Sequence, residues 1–259
     1  MKYQLYNNTI ELDFNEEKHL YTVDNKKVDG TTSALGIINK PALMYWAVNQ
    51  AVAFFQNAIK PGVIYDEIQL KAMAEGMKFS HRKKSGDAMD IGKIVHDWIE
   101  KYIAGKNPSP IVNQQAKNSI NKFLEWEKTN NVEFIESERI VYSKEYGYAG
   151  TLDFVAEMDG LDSNRVIVLG DFKTSSGIWD EYWFQLAAYQ QAYLEENPTK
   201  NISGSVIVRI GKDATLEVKH SKAEDYEANK DAFNSALIIH RRITTLKDEA
   251  YKAKQVKQS

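Results

Sequence analysis

Two carboxylates and one ammonium group stand out in this chain because of where they fall. Asp153 closes the run Gly150-Thr151-Leu152-Asp153, and Asp171 and Lys173 flank Phe172 in Gly170-Asp171-Phe172-Lys173. Both runs lie in stretches, YGYAGTLDFVAEM and NRVIVLGDFKTS, that read as β-strands. Alternate residues of a strand share a face, so Asp171 and Lys173 project together. A hairpin about the turn at 159–163 would set Asp153 and Asp171 at one level, each about six residues from the turn. Three charges would then converge among apolar strands, where an unpaired buried charge costs several kcal/mol. A hard divalent cation, Mg²⁺ or Mn²⁺, compensates them and selects oxygen ligands. Such an ion polarises a phosphodiester and lowers the pKa of a bound water, while the lysine orients or deprotonates the attacking water. A second ion would stabilise the leaving oxygen; the sequence leaves one or two ions open.

The tripeptide of an acid, any residue and lysine has no meaning alone, since it recurs at Glu16-Glu17-Lys18, Asp24-Asn25-Lys26 and Glu217-Val218-Lys219. Most such copies are surface ion pairs. The copy at 171–173 differs because it ends the continuous apolar run VIVL and follows a strand that carries another acid.

The elements that must position these groups follow from periodicity. Residues 1–30 read as three short strands with turns. Thr31-Thr32-Ser33 suits a helix cap, and Pro41 opens a helix to about 60. A helix is expected over 63–80, and a separate one opened by Ser85-Gly86-Asp87, with Ile91, Ile94, Val95, Trp98, Ile99 and Tyr102 on its apolar face. Another fits 112–129. From Val132 three strands follow in succession, then a helix over 180–196, two strands, and a long helix over 223–246. This order predicts an α/β fold in which a mixed central sheet is flanked by helices, with an N-terminal, mostly helical extension over 1–80 and a core over 81–259 in one compact unit.

Composition bounds the rest. The 259 residues are 43% hydrophobic and 27% charged, and include no cysteine. That excludes disulfides, cysteine-ligated zinc, an iron–sulfur cluster and a catalytic thiol. No stretch approaches the roughly 20 apolar residues of a membrane span, and the N-terminus lacks the apolar core of a signal peptide. A cytoplasmic protein, in the host cytoplasm if phage-encoded, is the expectation. The net charge of −3 does not announce nucleic-acid binding. Two segments are locally basic, His81-Arg82-Lys83-Lys84 and the tail from Arg241, and solvated surface describes either equally well.

With Asp153, Asp171 and Lys173 in place, the sequence resembles the PD-(D/E)XK nuclease superfamily, in its RecB-like branch that includes phage exonucleases, over about residues 80–210. Three features add to the resemblance. Gly92-Lys93-Ile94-Val95-His96 is similar to a family motif whose histidine ligates metal, although a lone helical histidine is more often a core or surface residue. Gln185-Leu186-Ala187-Ala188-Tyr189 matches the QxxxY motif; its ends share a helix face. Glu138 stands on the preceding strand where family members often carry an acid, though Glu133 and Glu136 suit the same argument. Leu152 replaces the nominal proline, and Asp171 the more frequent glutamate. Lys40-Pro41-Ala42-Leu43 with Trp46-Ala47 resembles the N-terminal region of phage members.

The resemblance implies a restriction-endonuclease-like core and Mg²⁺- or Mn²⁺-dependent hydrolysis of DNA, exonucleolytic, in phage-type recombination or repair. It implies that His96, Asp153, Asp171 and the backbone carbonyl of Phe172 hold the metal, with Glu138 as an added ligand. Lys173 would position the attacking water, and Gln185 and Tyr189 would organise the site. DNA is the implied partner, with a single-strand annealing protein or a helicase beside it; the oligomeric state is left open. Thr174-Ser175-Ser176 either offers hydroxyls to phosphate or is a plain polar loop, and Trp179 is the aromatic expected to be free to stack on bases, with Tyr182, Trp183 and Phe184 in the core. A selective endonuclease on the same scaffold, and a non-catalytic DNA-binding module, are the alternatives.

Overall fold

The computed structural model describes residues 1–160, 164–211 and 215–256, with backbone only at 83–89 and 256. The chain opens with four short strands, β1 (Lys2–Leu5), β2 (Ile10–Asn15), β3 (Leu20–Val23) and β4 (Lys26–Gly30), in an antiparallel meander. Helices α1 (Thr31–Leu35), α2 (Pro41–Ala58), α3 (Glu67–Ile103) and α4 (Gln114–Thr129) follow. Three long strands come next, β5 (Glu133–Ser143), β6 (Tyr148–Asp159) and β7 (Arg165–Lys173), then α5 (Asp180–Glu196), β8 (Gly204–Ile210), β9 (Leu216–His220) and α6 (Tyr226–Val256). This is an α/β fold with a mixed central sheet flanked by helices.

The N-terminal strands join that same sheet. β4 runs parallel to β6 through Asp29–Tyr148 and Gly30–Ala149, and Thr31 reinforces the joint by donating its hydroxyl to the Ala149 carbonyl at 3.0 Å. Thr31 is therefore the first residue of α1 and not its cap; Gly30 holds that position without a side-chain bond.

The helix break expected at Ser85-Gly86-Asp87 does not occur. One helix, α3, runs through all three residues, and its start at Asp66 is fixed by a capping box: Asp66 accepts from the Gln69 N–H, and Gln69 returns the bond to the Asp66 N–H. A mid-helix glycine costs only about 1 kcal/mol relative to alanine, which helix-forming residues on either side offset. The side chains of this segment, with Lys83 and Lys84, lie outside the described residues. The expected domain boundary at 80 falls inside α3. At the other end, α6 runs ten residues beyond the expected 246.

Two apolar layers cover the sheet. On one face Val155, Leu169 and Ile207 pack under Leu186 and Tyr193 of α5 and Phe233 of α6. On the other, Phe154, Val168 and Val208 pack under Val95 and Ile99 of α3 and Phe123 and Trp126 of α4. The strand alternation that sends neighbours to opposite layers is the period-two pattern of a strand buried on both faces.

One irregularity opens a gap in the sheet. β6 and β7 pair from Asp159–Arg165 to Phe154–Gly170, and there the ladder stops although both strands run on. The Phe154 ring lies so close over Gly170 that a Cβ there would sit 1.8 Å from it. Beyond that point β7 continues beside β8 alone, through Asp171–Ile207 to Lys173–Arg209. β4 takes the same edge of β6 at its start. Residues 150–153 of β6 thus have no strand on that edge among the described residues.

Candidate metal centre

The gap between β6 and β7 is where the charged groups meet. The Phe172 N–H, which would otherwise pair with β6, donates instead to Asp153 Oδ2 at 2.7 Å. The carboxylate replaces a missing backbone acceptor, so it is held in place before any ion arrives. The structure therefore brings Phe172 to Asp153 through its N–H, where the expected contribution to the site was its carbonyl.

From the helical layer on one face, His96 of α3 turns its Nε2 to within 3.3 Å of Asp153 Oδ2, and its Nδ1 lies 3.8 Å from Glu138 Oε1. Gly92, one turn earlier, lets α3 approach: a Cβ there would stand 2.6 Å from the Thr174 hydroxyl. Glu138 reaches the cleft by an unusual route. It lies between the pairs Ser137–Phe154 and Arg139–Leu152, level with Asp153, and its φ is +50°. Left-handed backbone at a non-glycine residue is strained by about 1–3 kcal/mol and concentrates at functional sites. Glu136, its rival in the sequence, bonds Tyr193 at 2.6 Å, and Glu133 pairs with Arg165 at 3.1 Å.

From the layer on the other face comes a second set. Lys173 Nζ lies 2.5 Å from Asp171 Oδ2 and donates to Gln185 Oε1 at 3.1 Å. Gln185 Nε2 donates to the Tyr189 hydroxyl at 2.7 Å. Gly150 makes room for Tyr189, whose ring would meet a Cβ at 2.4 Å. The sequence motifs thus join into one line, Asp171, Lys173, Gln185, Tyr189, beside the cluster of His96, Glu138 and Asp153. Asp171 belongs to the lysine's line and not to the cluster.

Sequence reading missed four neighbours. Glu100, one helical turn past His96, and Ser137 line the cleft with the cluster; the i, i+4 spacing on α3 would have revealed Glu100. Thr32 accepts from Gln185 at 3.4 Å, and the Tyr182 ring lies 4.7 Å from Lys173 Nζ. Of the expected phosphate contacts, Ser175 turns its hydroxyl to the Gly177 carbonyl at 2.7 Å. Trp179 is exposed, while Tyr182, Trp183 and Phe184 are half-buried against the core.

The cluster's donor set, one imidazole and two carboxylates with ligand atoms within 4.8 Å of one another, fits a divalent ion such as Mn²⁺ or Mg²⁺. Its electrostatics point the same way. The Asp153 carboxylate holds the His96 imidazole protonated, raising its pKa to about 10. Burial, then the Asp153 charge, pushes Glu138 up to about 8. Burial would raise Asp153 too, but the His96 imidazolium outweighs it and the carboxyl stays below its usual range. Burial also raises Asp171, to about 6, against the pull of Lys173. At neutral pH the metal-free site therefore keeps protons where a cation would bind. An ion held by His96 and Glu138 must displace one proton from each, so Mn²⁺ affinity should rise with pH by up to about a hundredfold per unit between pH 6 and 8. Calorimetry in buffers of different ionisation enthalpy counts the protons. Binding at pH 7 without proton release would remove both residues from the ligand set.

No helix among the described residues is long and apolar enough to cross a membrane. Compared with models of known protein families and with curated proteins, the chain finds no match in either.

Proposed function

We propose that this chain is a metal-dependent deoxyribonuclease of the PD-(D/E)XK superfamily, with a restriction-endonuclease-like core, acting as an exonuclease in phage-type recombination or repair. The observation that carries the reading is the meeting, at the splayed ends of β6 and β7, of His96, Glu138 and Asp153 with the line from Asp171 through Lys173 to Gln185. When bound, a Mg²⁺ or Mn²⁺ ion supplies Lewis-acid polarisation of the scissile phosphate and a water acidified toward hydroxide.

The chain's own residues supply the rest. Asp153 is oriented by the Phe172 N–H, so little reorganisation accompanies ion binding. Asp171 and Asp153 outweigh burial and raise the Lys173 pKa. Lys173 is thus held as an ammonium in the metal-free site, placed to donate to the attacking water or to a phosphate oxygen. Gln185, fixed by Tyr189, accepts one of its three protons and Asp171 a second, which leaves the third for the reacting groups. Trp179, exposed at the start of α5, offers a face for an unpaired base.

The deciding experiment is digestion of end-labelled linear, single-stranded and covalently closed circular DNA with Mg²⁺, Mn²⁺ or EDTA. Loss of linear DNA from its ends, blocked by EDTA and sparing the circle, is the expected result. Cutting of the circle would replace the exonuclease with an endonuclease. No cleavage with either ion would leave a DNA-binding module.

A further inference from the structure

A single amide ties the N-terminal segment to the candidate metal centre. Lys173 can only donate, so the Gln185 atom that faces it at 3.1 Å must be the oxygen. That fixes the other end of the amide. Its nitrogen has two protons, which go to the Tyr189 hydroxyl at 2.7 Å and to the Thr32 hydroxyl at 3.4 Å. Thr32 Oγ1 is therefore an acceptor toward Gln185, and its own proton has no protein acceptor among the described residues. The side chain is exposed, in the first turn of α1.

The mount that carries this hydroxyl is fixed on both sides. β4 pairs with β6 at Gly30–Ala149, and Thr31 donates to the Ala149 carbonyl at 3.0 Å. Tyr21 of β3, 2% exposed, sets its hydroxyl 2.9 Å from that of Thr151. Beyond α1, Lys40 pairs at 2.8 Å with Glu181 in the first turn of α5. The N-terminal segment thus grips β6 and α5, the elements that carry Asp153 and Gln185.

Resting on the nuclease reading, we infer that Thr32 is a DNA-contacting residue of the active site: its hydroxyl donates to a non-bridging oxygen of the phosphate adjoining the scissile one. The free proton selects the partner. Phosphate oxygens accept without donating and are offered by every nucleotide whatever its base, and threonine hydroxyls are among their ordinary donors. The position selects which phosphate. Lys173 serves the scissile group, and Thr32 lies one amide further along, beyond Gln185. Nor is Thr32 needed to hold Gln185 in place. Tyr189 bonds the same nitrogen at 2.7 Å against 3.4 Å, so the shorter bond sets the amide.

The test is steady-state cleavage of end-labelled linear oligonucleotides, single-stranded and duplex, by the full-length chain with Mg²⁺. Thr32→Val should raise KM roughly 10–100-fold, the weight of a hydrogen bond to a charged group, with kcat little changed. Thr32→Ser, which keeps the hydroxyl, should stay near the wild-type KM. Thermal unfolding should be alike in all three, because the side chain is exposed and its one bond is long. A methylphosphonate at the linkage beside the scissile one removes the charged oxygen. It should raise KM for the wild type and add nothing for Thr32→Val, whereas a residue with only a structural role would leave the two losses additive. A KM unmoved by Thr32→Val, one that serine fails to restore, or additive losses would overturn the inference and leave the nuclease reading standing. A wild type that cuts no DNA overturns both.

Discussion

Replacing Lys173 with methionine is expected to lower DNA cleavage by about 10²–10³-fold and also to destabilise the metal-free fold. The second effect follows from burial. Asp171 is 2% exposed, and its carboxylate lies 2.5 Å from the lysine ammonium. Removing one partner of a buried ion pair costs about 3–5 kcal/mol, because the other charge is left uncompensated. Methionine keeps most of the aliphatic stem, so packing changes little. The two effects separate with the double variant Asp171→Asn/Lys173→Met: thermal unfolding should recover much of the lost stability, and cleavage should not return. If Lys173→Met alone cuts DNA at the wild-type rate, the lysine has no part in the chemistry and the nuclease assignment falls with it. A variant that is inactive but as stable as the wild type would mean that Asp171 already shares a proton in the native chain.

Asp153→Asn should have the larger effect on the ion. Asp153 Oδ2 is approached at once by His96 Nε2 and the Phe172 N–H, and it provides one of the two carboxylates in the cluster. An amide retains the size and can still accept from Phe172, so the splayed strand ends should hold their shape. The lost charge should weaken Mn²⁺ binding by at least about 10²-fold, a larger loss than the 10–100-fold typical of residues that merely support a ligand. It should also release His96, whose proton is held chiefly by this carboxylate. Titration calorimetry and the NMR titration of His96 measure the two consequences independently. Unchanged Mn²⁺ affinity would show that the ion, if bound, sits elsewhere.

What could be read before the structure was whatever short-range periodicity encodes. Asp171 and Lys173 share a face because strands repeat every two residues, and Asp153 lies level with Asp171 because a hairpin counts symmetrically from its turn. Gln185 and Tyr189 meet because helices bring i and i+4 together. The choice among Glu133, Glu136 and Glu138 could not be made that way. It depends on a register shift between Phe134 and Glu136 and on one left-handed residue, both of which break the alternation that sequence reading assumes. The continuity of α3 through Ser85-Gly86-Asp87 was hidden for the opposite reason: three local breakers read as a boundary, yet the residues on both sides favour helix. Nor did the first 30 residues reveal that they belong to the central sheet, since a parallel pairing over two positions leaves no local pattern.

Glu138 carries a consequence for how this protein can change. Its backbone conformation is one that glycine adopts freely and glutamate does not. Selection for heat tolerance alone would therefore favour losing this side chain, while selection for retaining an ion would resist it. Were Glu138 to hold the ion as proposed, endurance and chemistry would compete at a single codon.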